Sequence, residues 1–301
     1  MRVRALFGHA VGPDLLCLAV FSSVLLVLMA TLHARPTFVQ SSVVLPGVIM
    51  IILIAAGRGL RVLRDWCPLI LIILVYENFH DLTDLVRPQI VDSQLRALDE
   101  AIFGIEPTLL LQEVTRPWLT ELMTFAYALY FVYPAIILTL LYSSGQLLRF
   151  REFGLALSLG FYLGLTGYLL VPAIGPRYAM AGEFHVPLEG IWLTARAAAA
   201  WNAIESVKRD CFPSLHTALT SISLIYLFRL AWRRLFAICL PLIVLLWMST
   251  IYLRYHYFVD VLGGFALAGI CCTLAPAIIR WYYADARSPG EAAPARADRR
   301  R

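Results

Sequence analysis

The chain has 301 residues, 60% of them hydrophobic and only 15% charged, with a mean hydropathy of +0.74; soluble domains are nearer half apolar and a quarter charged, so a water-soluble globule is excluded. The formal net charge is +5, yet no basic stretch interleaves with aromatic residues as a nucleic-acid channel requires, which argues against a nucleic-acid partner. The six cysteines, Cys17, Cys67, Cys211, Cys239, Cys271 and Cys272, lie mainly in apolar runs and have neither disulfide-framework nor zinc spacing.

Several apolar runs approach or exceed the roughly 20 residues that cross a bilayer. They must be helices, since hydrocarbon leaves open backbone groups unsatisfied and no barrel-type alternation is present. The expected fold class is an all-α integral membrane protein with about eight transmembrane helices, at 14–34, 41–57, 66–80, 118–143, 152–173, 214–230, 234–253 and 257–281. The second and third are short, and Pro46 and Pro68 interrupt or open them. Arg2 and Arg4 before the first run resemble a signal peptide, but its length and the lack of a small-x-small cleavage site favour a retained anchor.

Eight spans put both termini on one face. That face carries sixteen of the 25 basic residues, including Arg149, Arg151, Arg229, Arg233, Arg234 and Arg280, against nine opposite. The positive-inside rule makes it cytoplasmic. Every histidine except His9 then falls on the external face. The expected organisation is N-terminal transmembrane helices over 1–90, a catalytic membrane domain over 91–283, and a disordered cytoplasmic tail over 284–301.

Two external segments interrupt the spans. In the first, Leu95, Leu98 and Ile102 recur at helical spacing, with Asp92, Arg96, Asp99 and Glu100 between them. This predicts an interfacial amphipathic helix within 92–116, ended by Gly104 and Pro107. The second, 174–213, opens on Gly175-Pro176-Arg177-Tyr178 and has an alanine-rich helical middle. Two long loops on one face suggest a lid or substrate platform.

Chemistry concentrates in Phe212-Pro213-Ser214-Leu215-His216 and in Arg254-Tyr255-His256-Tyr257-Phe258-Val259-Asp260. Histidine and aspartate beside lipid are costly unless used. On a helix starting near 255, Asp260 stacks under His256 and accepts from one ring nitrogen, leaving the other basic, as a histidine nucleophile requires. A packing histidine satisfied by its neighbour is the alternative. Pro213 and Ser214 open the helix bearing His216, and free N–H groups at a helix start suit a phosphate. Arg177 and Arg254 bring bidentate phosphate donors to the same face, or simply snorkel. Glu77, Asp81 and Asp84 share a helical face at the end of the third span, placed for a polyol head group or for a solvated helix end.

The pair FPSLH and RYHYFVDVLGG resembles the type 2 phosphatidic acid phosphatase superfamily, most closely its inositol phosphorylceramide synthase-like branch, as does Leu98–Thr108. The resemblance implies a six-helix catalytic core in which His256 attacks phosphorus, Asp260 orients it, His216 protonates the leaving group, and Arg177, Ser214 and Arg254 hold phosphate oxygens. It implies no cofactor and no metal. The phosphatase branch's lysine-to-Arg-Pro motif is absent, Lys208 being the sole lysine, and Ser249-Thr250 stands where that branch has Ser-Arg. Both departures favour transfer of a phosphate-bearing head group from a phospholipid donor to a lipid or polyol acceptor over hydrolysis. The expected location is the external leaflet of a bacterial cytoplasmic membrane; a lipid transporter or scramblase is the non-enzymatic alternative.

Overall fold

The computed structural model describes residues 86–204 and 209–284 without interruption, and isolated helical positions between Gly12 and Thr83. Among the described residues every regular element is helical. They comprise α1 (Asp92–Phe103), α2 (Pro107–Leu111), α3 (Pro117–Ala128), α4 (Val132–Ser143), α5 (Leu147–Leu170), α6 (Leu193–Ile204), α7 (Leu215–Arg229), α8 (Arg233–Tyr252) and α9 (Phe258–Tyr283). The expected spans at 41–57 and over most of 14–34 and 66–80 lie outside the described residues, as does the tail beyond Ala284.

Among the described residues four stretches are long and apolar enough to cross a membrane: Pro117–Ser143, which joins α3 to α4, then α5, α8 and α9. α7, expected as a span, has only 15 residues. At 1.5 Å per residue it is about 22 Å long, short of the roughly 30 Å hydrocarbon core. It is the hub of the bundle, wrapped by α5, α8 and α9, with Ala218, Ile222 and Leu227 fully buried. α5 runs Leu147–Leu170 where the sequence predicts a span at 152–173, and Arg151 in its second turn pairs with Asp65 at 2.8 Å.

Lipid tails are as apolar as leucine, so close packing rather than water exclusion must hold such helices together. Missing side chains supply that packing around the start of α7. A Cβ on Gly164 would lie 2.4 Å from Leu215, and one on Gly167 2.3 Å from Pro213, both on the α5 side. From α9, a Cβ on Gly264 would meet the Ser214 carbonyl oxygen at 2.6 Å and Thr217 at 2.7 Å. The Pro213–Thr217 segment is therefore clamped between two helices.

α1 is amphipathic, with part of its apolar spacing on an outward face. Leu98 and Ile102 are 53% and 54% exposed, whereas Asp92, Leu95 and Asp99 are buried. The carboxylates turn inward because helix ends there need acceptors, described below. The predicted 92–116 helix divides at Gly104, whose φ of +76° closes α1, and α2 restarts behind the Glu106 cap.

The site-bearing segments all lie at one end of the bundle. The turns between α4 and α5 and between α7 and α8, with Arg149, Arg151, Arg229, Arg233, Arg234 and Arg280, lie at the other.

Because the Gly264 contact is with backbone, Gly264→Val should destabilise the protein by about 1–3 kcal/mol, the usual cost of overpacking. Gly269→Ala, where an added Cβ meets nothing within 4 Å, should be neutral. Thermal unfolding of both variants in detergent separates them, and equal midpoints would contradict the clamp.

Candidate active site

Ser214 caps α7: its hydroxyl accepts from the Thr217 amide at 3.3 Å. Its own amide donates to the Asp260 carbonyl at 3.0 Å, so one backbone bond joins the two histidine segments. Three first-turn amides of α9 are also satisfied. The Tyr257 amide donates to Asp260 Oδ2 at 2.7 Å, and the Phe258 and Val259 amides donate to Asp99 of α1 at 2.6 and 2.9 Å. Those amides pull the Asp99 carboxyl down, but its burial outweighs them and pushes it above the ordinary range.

His256 stands before α9, not on it. The Tyr255 and His256 amides both fold back onto the Thr250 carbonyl at 3.0 and 3.1 Å, with Arg254 in the left-handed region at φ +66°. The helical stack expected for His256 and Asp260 is therefore replaced by a turn. His256 Nδ1 lies 3.5 Å from Asp260 Oδ2, beyond a good hydrogen bond, but 2.9 Å from the Cys211 carbonyl oxygen. A carbonyl can only accept, which assigns the proton to Nδ1 and a lone pair to Nε2. Nε2 faces His216 Nδ1 at 3.4 Å. The His216 ring packs between Tyr127 and Tyr130, each with its centroid 4.4 Å away.

His216, His256 and Asp260 are thus brought together. Ser214 is adjacent but fully buried, and its hydroxyl and amide are both engaged in the joint between helices. Arg177 and Arg254 lie side by side, the Arg177 amide donating to the Arg254 carbonyl at 2.7 Å. The Arg177 guanidinium lies 5.0 Å from the Tyr255 ring centroid and donates to its hydroxyl. That of Arg254 sits 4.0 Å from the Phe184 centroid and donates to the Val186 carbonyl at 2.6 Å. Burial lowers the Arg254 pKa from its ordinary value, though an arginine remains charged.

Both arginines line a cleft of about 430 Å³ with Thr124, Phe184, Trp201 and Tyr255. His216 and His256 are not in its lining, although His185 is. Tyr127 stands between, stacked on Tyr255 at 4.9 Å and on His216 at 4.4 Å, with Trp201 of α6 against its edge at 4.8 Å. The facing histidines and the two cleft arginines are thus separated by the Tyr127 stack. α6 itself is held by Glu121 of α3, whose carboxylate accepts from the amides of Ile191, Trp192, Leu193 and Thr194.

Glu77, Asp81 and Asp84 lie outside the described residues; the nearby Tyr76 hydroxyl donates to Asp210. Cys211, His256 and Asp260 offer donor atoms within 4.8 Å of one another, a spacing that would suit a metal ion. The same atoms also meet one another in hydrogen bonds: the Cys211 thiol donates to Asp260 Oδ2 at 2.8 Å and His256 Nδ1 to the Cys211 carbonyl.

Sequence reasoning missed Asp92, Asp99 and Cys211. Asp92 accepts from the Ile174 and Gly175 amides at 3.0 and 2.9 Å and from the Tyr257 hydroxyl at 3.1 Å, tying α1 to the histidine turn. The i, i+3, i+7 spacing of Asp92, Leu95 and Asp99 was the available signal for a common inward face. Gly175 must be glycine there: its φ is +80°, and a Cβ would meet the Tyr255 carbonyl oxygen at 2.5 Å.

Residues 93–274, more than half of the chain, match the PAP2 superfamily, and the protein belongs to it. Over 195 residues, 60% of this chain, it is 26% identical to an inositol phosphorylceramide synthase from Candida albicans; the matched region is 41% of that protein. No solved structure matches.

Asp99 supplies acceptors that α9 lacks, so Asp99→Ala should cost about 1–2 kcal/mol, the range of a lost helix cap. Asp99→Asn keeps one acceptor oxygen and should recover part of the loss. Thermal unfolding in detergent reads the difference, and an unchanged Asp99→Ala midpoint would show that α9 does not depend on this cap.

Proposed function

We propose that this member of the PAP2 superfamily is a membrane enzyme that transfers a phosphate-bearing head group from a phospholipid to a lipid or polyol hydroxyl, through a phosphohistidine on His256. The observation that carries the reading is the tautomer of His256: Nδ1–H is committed to the Cys211 carbonyl at 2.9 Å, leaving Nε2 as a nucleophile that faces a second histidine at 3.4 Å.

In the first step the Nε2 lone pair forms a bond to phosphorus as the bond to the leaving oxygen breaks. His216 gives that oxygen its proton. In the second step His216, now neutral, takes the proton of an acceptor hydroxyl, whose oxygen attacks phosphorus and releases His256. At 3.4 Å the two ring nitrogens leave no room for a phosphoryl group, so phosphorus reaches Nε2 only once they part. Arg177 and Arg254 hold the charged oxygens from the cleft side, where guanidinium geometry matches phosphate. Asp260 supplies negative charge behind the imidazolium that forms during attack.

Support for transfer over hydrolysis comes from the inositol phosphorylceramide synthase relative and from the covered site, where α6 and the Tyr127–Tyr255 pair stand between the cleft and the histidines. Water expelled from such a site cannot compete with a bound hydroxyl. Convergence of three titratable side chains on one another, rather than their distribution along a pore, favours an enzyme over a transporter. The basic residues at the opposite end of the bundle favour a site at the external leaflet.

Purified protein in lipid, given labelled phospholipid with and without hydroxyl acceptors, tests the reading. His256→Ala should lose roughly 10³-fold or more of turnover, as expected when a nucleophile is removed, and should form no acid-labile phosphoprotein. His216→Ala should lose about 10²-fold or more with the lipid donor, the usual worth of a general acid, and far less with an aryl phosphate, whose leaving group needs no proton. Full turnover by His256→Ala would end the phosphohistidine proposal. Release to water alone, whatever acceptor is supplied, would replace transfer by phosphatase activity.

A further inference from the structure

We infer that Cys211 is a positioning residue for this reaction, its thiol holding the Asp260 carboxylate while its peptide carbonyl holds the His256 imidazole. The inference rests on the phosphohistidine reading of His256. Asp260 is fully buried, and its Oδ1 has no hydrogen-bond partner. Oδ2 has two donors: the Tyr257 amide at 2.7 Å and the Cys211 thiol at 2.8 Å. The first belongs to the α9 cap itself and fixes the carboxylate to its own helix. The second is the only one of the two that reaches across to the α7 segment. Asp260 stands 3.5 Å from His256 Nδ1, so its hold on the nucleophile runs through Cys211, whose carbonyl takes the Nδ1 proton.

The thiol is suited to donating. Burial pushes its pKa well above the ordinary value, and the neighbouring carboxylates of Asp260, Asp92 and Asp210 push it further, so it keeps its proton. Its place is also enclosed: a Cβ on Gly175 would lie 3.3 Å from the sulfur. A buried carboxylate left with a single donor is poorly held, and the orphan Oδ1 offers no compensation.

The full chain in lipid nanodiscs tests this with Cys211→Ala and Cys211→Ser. Removing one hydrogen bond to a charged group should lower kcat about tenfold with KM changed by no more than about twofold, since Cys211 does not line the cleft. A serine hydroxyl still donates to Oδ2 and should bring kcat back to within about threefold of wild type. Wild-type kcat in Cys211→Ala, equal losses in both variants, or a loss confined to KM would overturn the inference. An infrared difference spectrum of wild type minus Cys211→Ser applies even if the alanine variant does not fold. Its S–H band should lie below the free-thiol position, and a band at that position would overturn the inference. The two readings fail separately. An active His256→Ala removes the phosphohistidine, whereas an inactive His256→Ala beside a fully active Cys211→Ala removes only the role of Cys211.

Discussion

Everything at the site depends on the joint between the starts of α7 and α9, where the Ser214 amide meets the Asp260 carbonyl at 3.0 Å and Gly264 lets the two backbones touch. Each helix start presents up to four amides without an intrahelical acceptor. Two such starts side by side, away from bulk water, would cost about 1–3 kcal/mol for every amide left unmet. Ser214, Asp260 and Asp99 meet them locally. Burying two carboxylates carries a desolvation cost of several kcal/mol each, and only the multiple amide donors make that tolerable. The acidic residues near the histidines are thus structural first, and the proposed catalytic arrangement is assembled on top of a solved capping problem.

That priority explains the position of His256. A nucleophilic imidazole must have one nitrogen tied down and the other free. Direct pairing with Asp260 would tie Nδ1, but Oδ2, the carboxylate oxygen nearest the ring at 3.5 Å, is held by the Tyr257 amide and the Cys211 thiol. The Cys211 carbonyl, delivered by the loop that leads into α7, does the tying instead. Since that carbonyl and the Ser214 amide lie three residues apart on the same strand of chain, one clamped segment positions both histidines at once. Glycines on α5 and α9 set how deeply the segment sits.

The membrane character and the pairing of the two histidine segments were legible from the sequence, because hydropathy acts over whole spans and the motifs are contiguous. The parts that went unread are those decided by tertiary partners. α7 reads as a span by composition, but composition does not show that it sits at the centre of the bundle. The i, i+4 spacing of His256 and Asp260 is real, but the left-handed Arg254 and the double bond to the Thr250 carbonyl move the helix start past the histidine. In α1 the apolar spacing marked an interfacial helix but did not show that the need for acceptors at α9 turns Asp92 and Asp99 inward. Cys211 contributes through its backbone carbonyl as well as its thiol, and no residue type announces a carbonyl.

The separation of the arginine cleft from the histidine pair carries a mechanistic consequence for the proposed transfer. Tyr127 stacks on His216 and on Tyr255 at once, and Tyr255 receives the Arg177 guanidinium. A phosphate that draws Arg177 away from the Tyr255 hydroxyl loosens the stack that ends on His216, the same ring that must part from His256 before phosphorus reaches Nε2. Recognition of the anion and exposure of the nucleophile are then one event, and a ligand without phosphate gains the cleft but not the histidines. Such coupling would keep Nε2 from water until a donor is bound, which is the condition a transferase needs and a phosphatase does not.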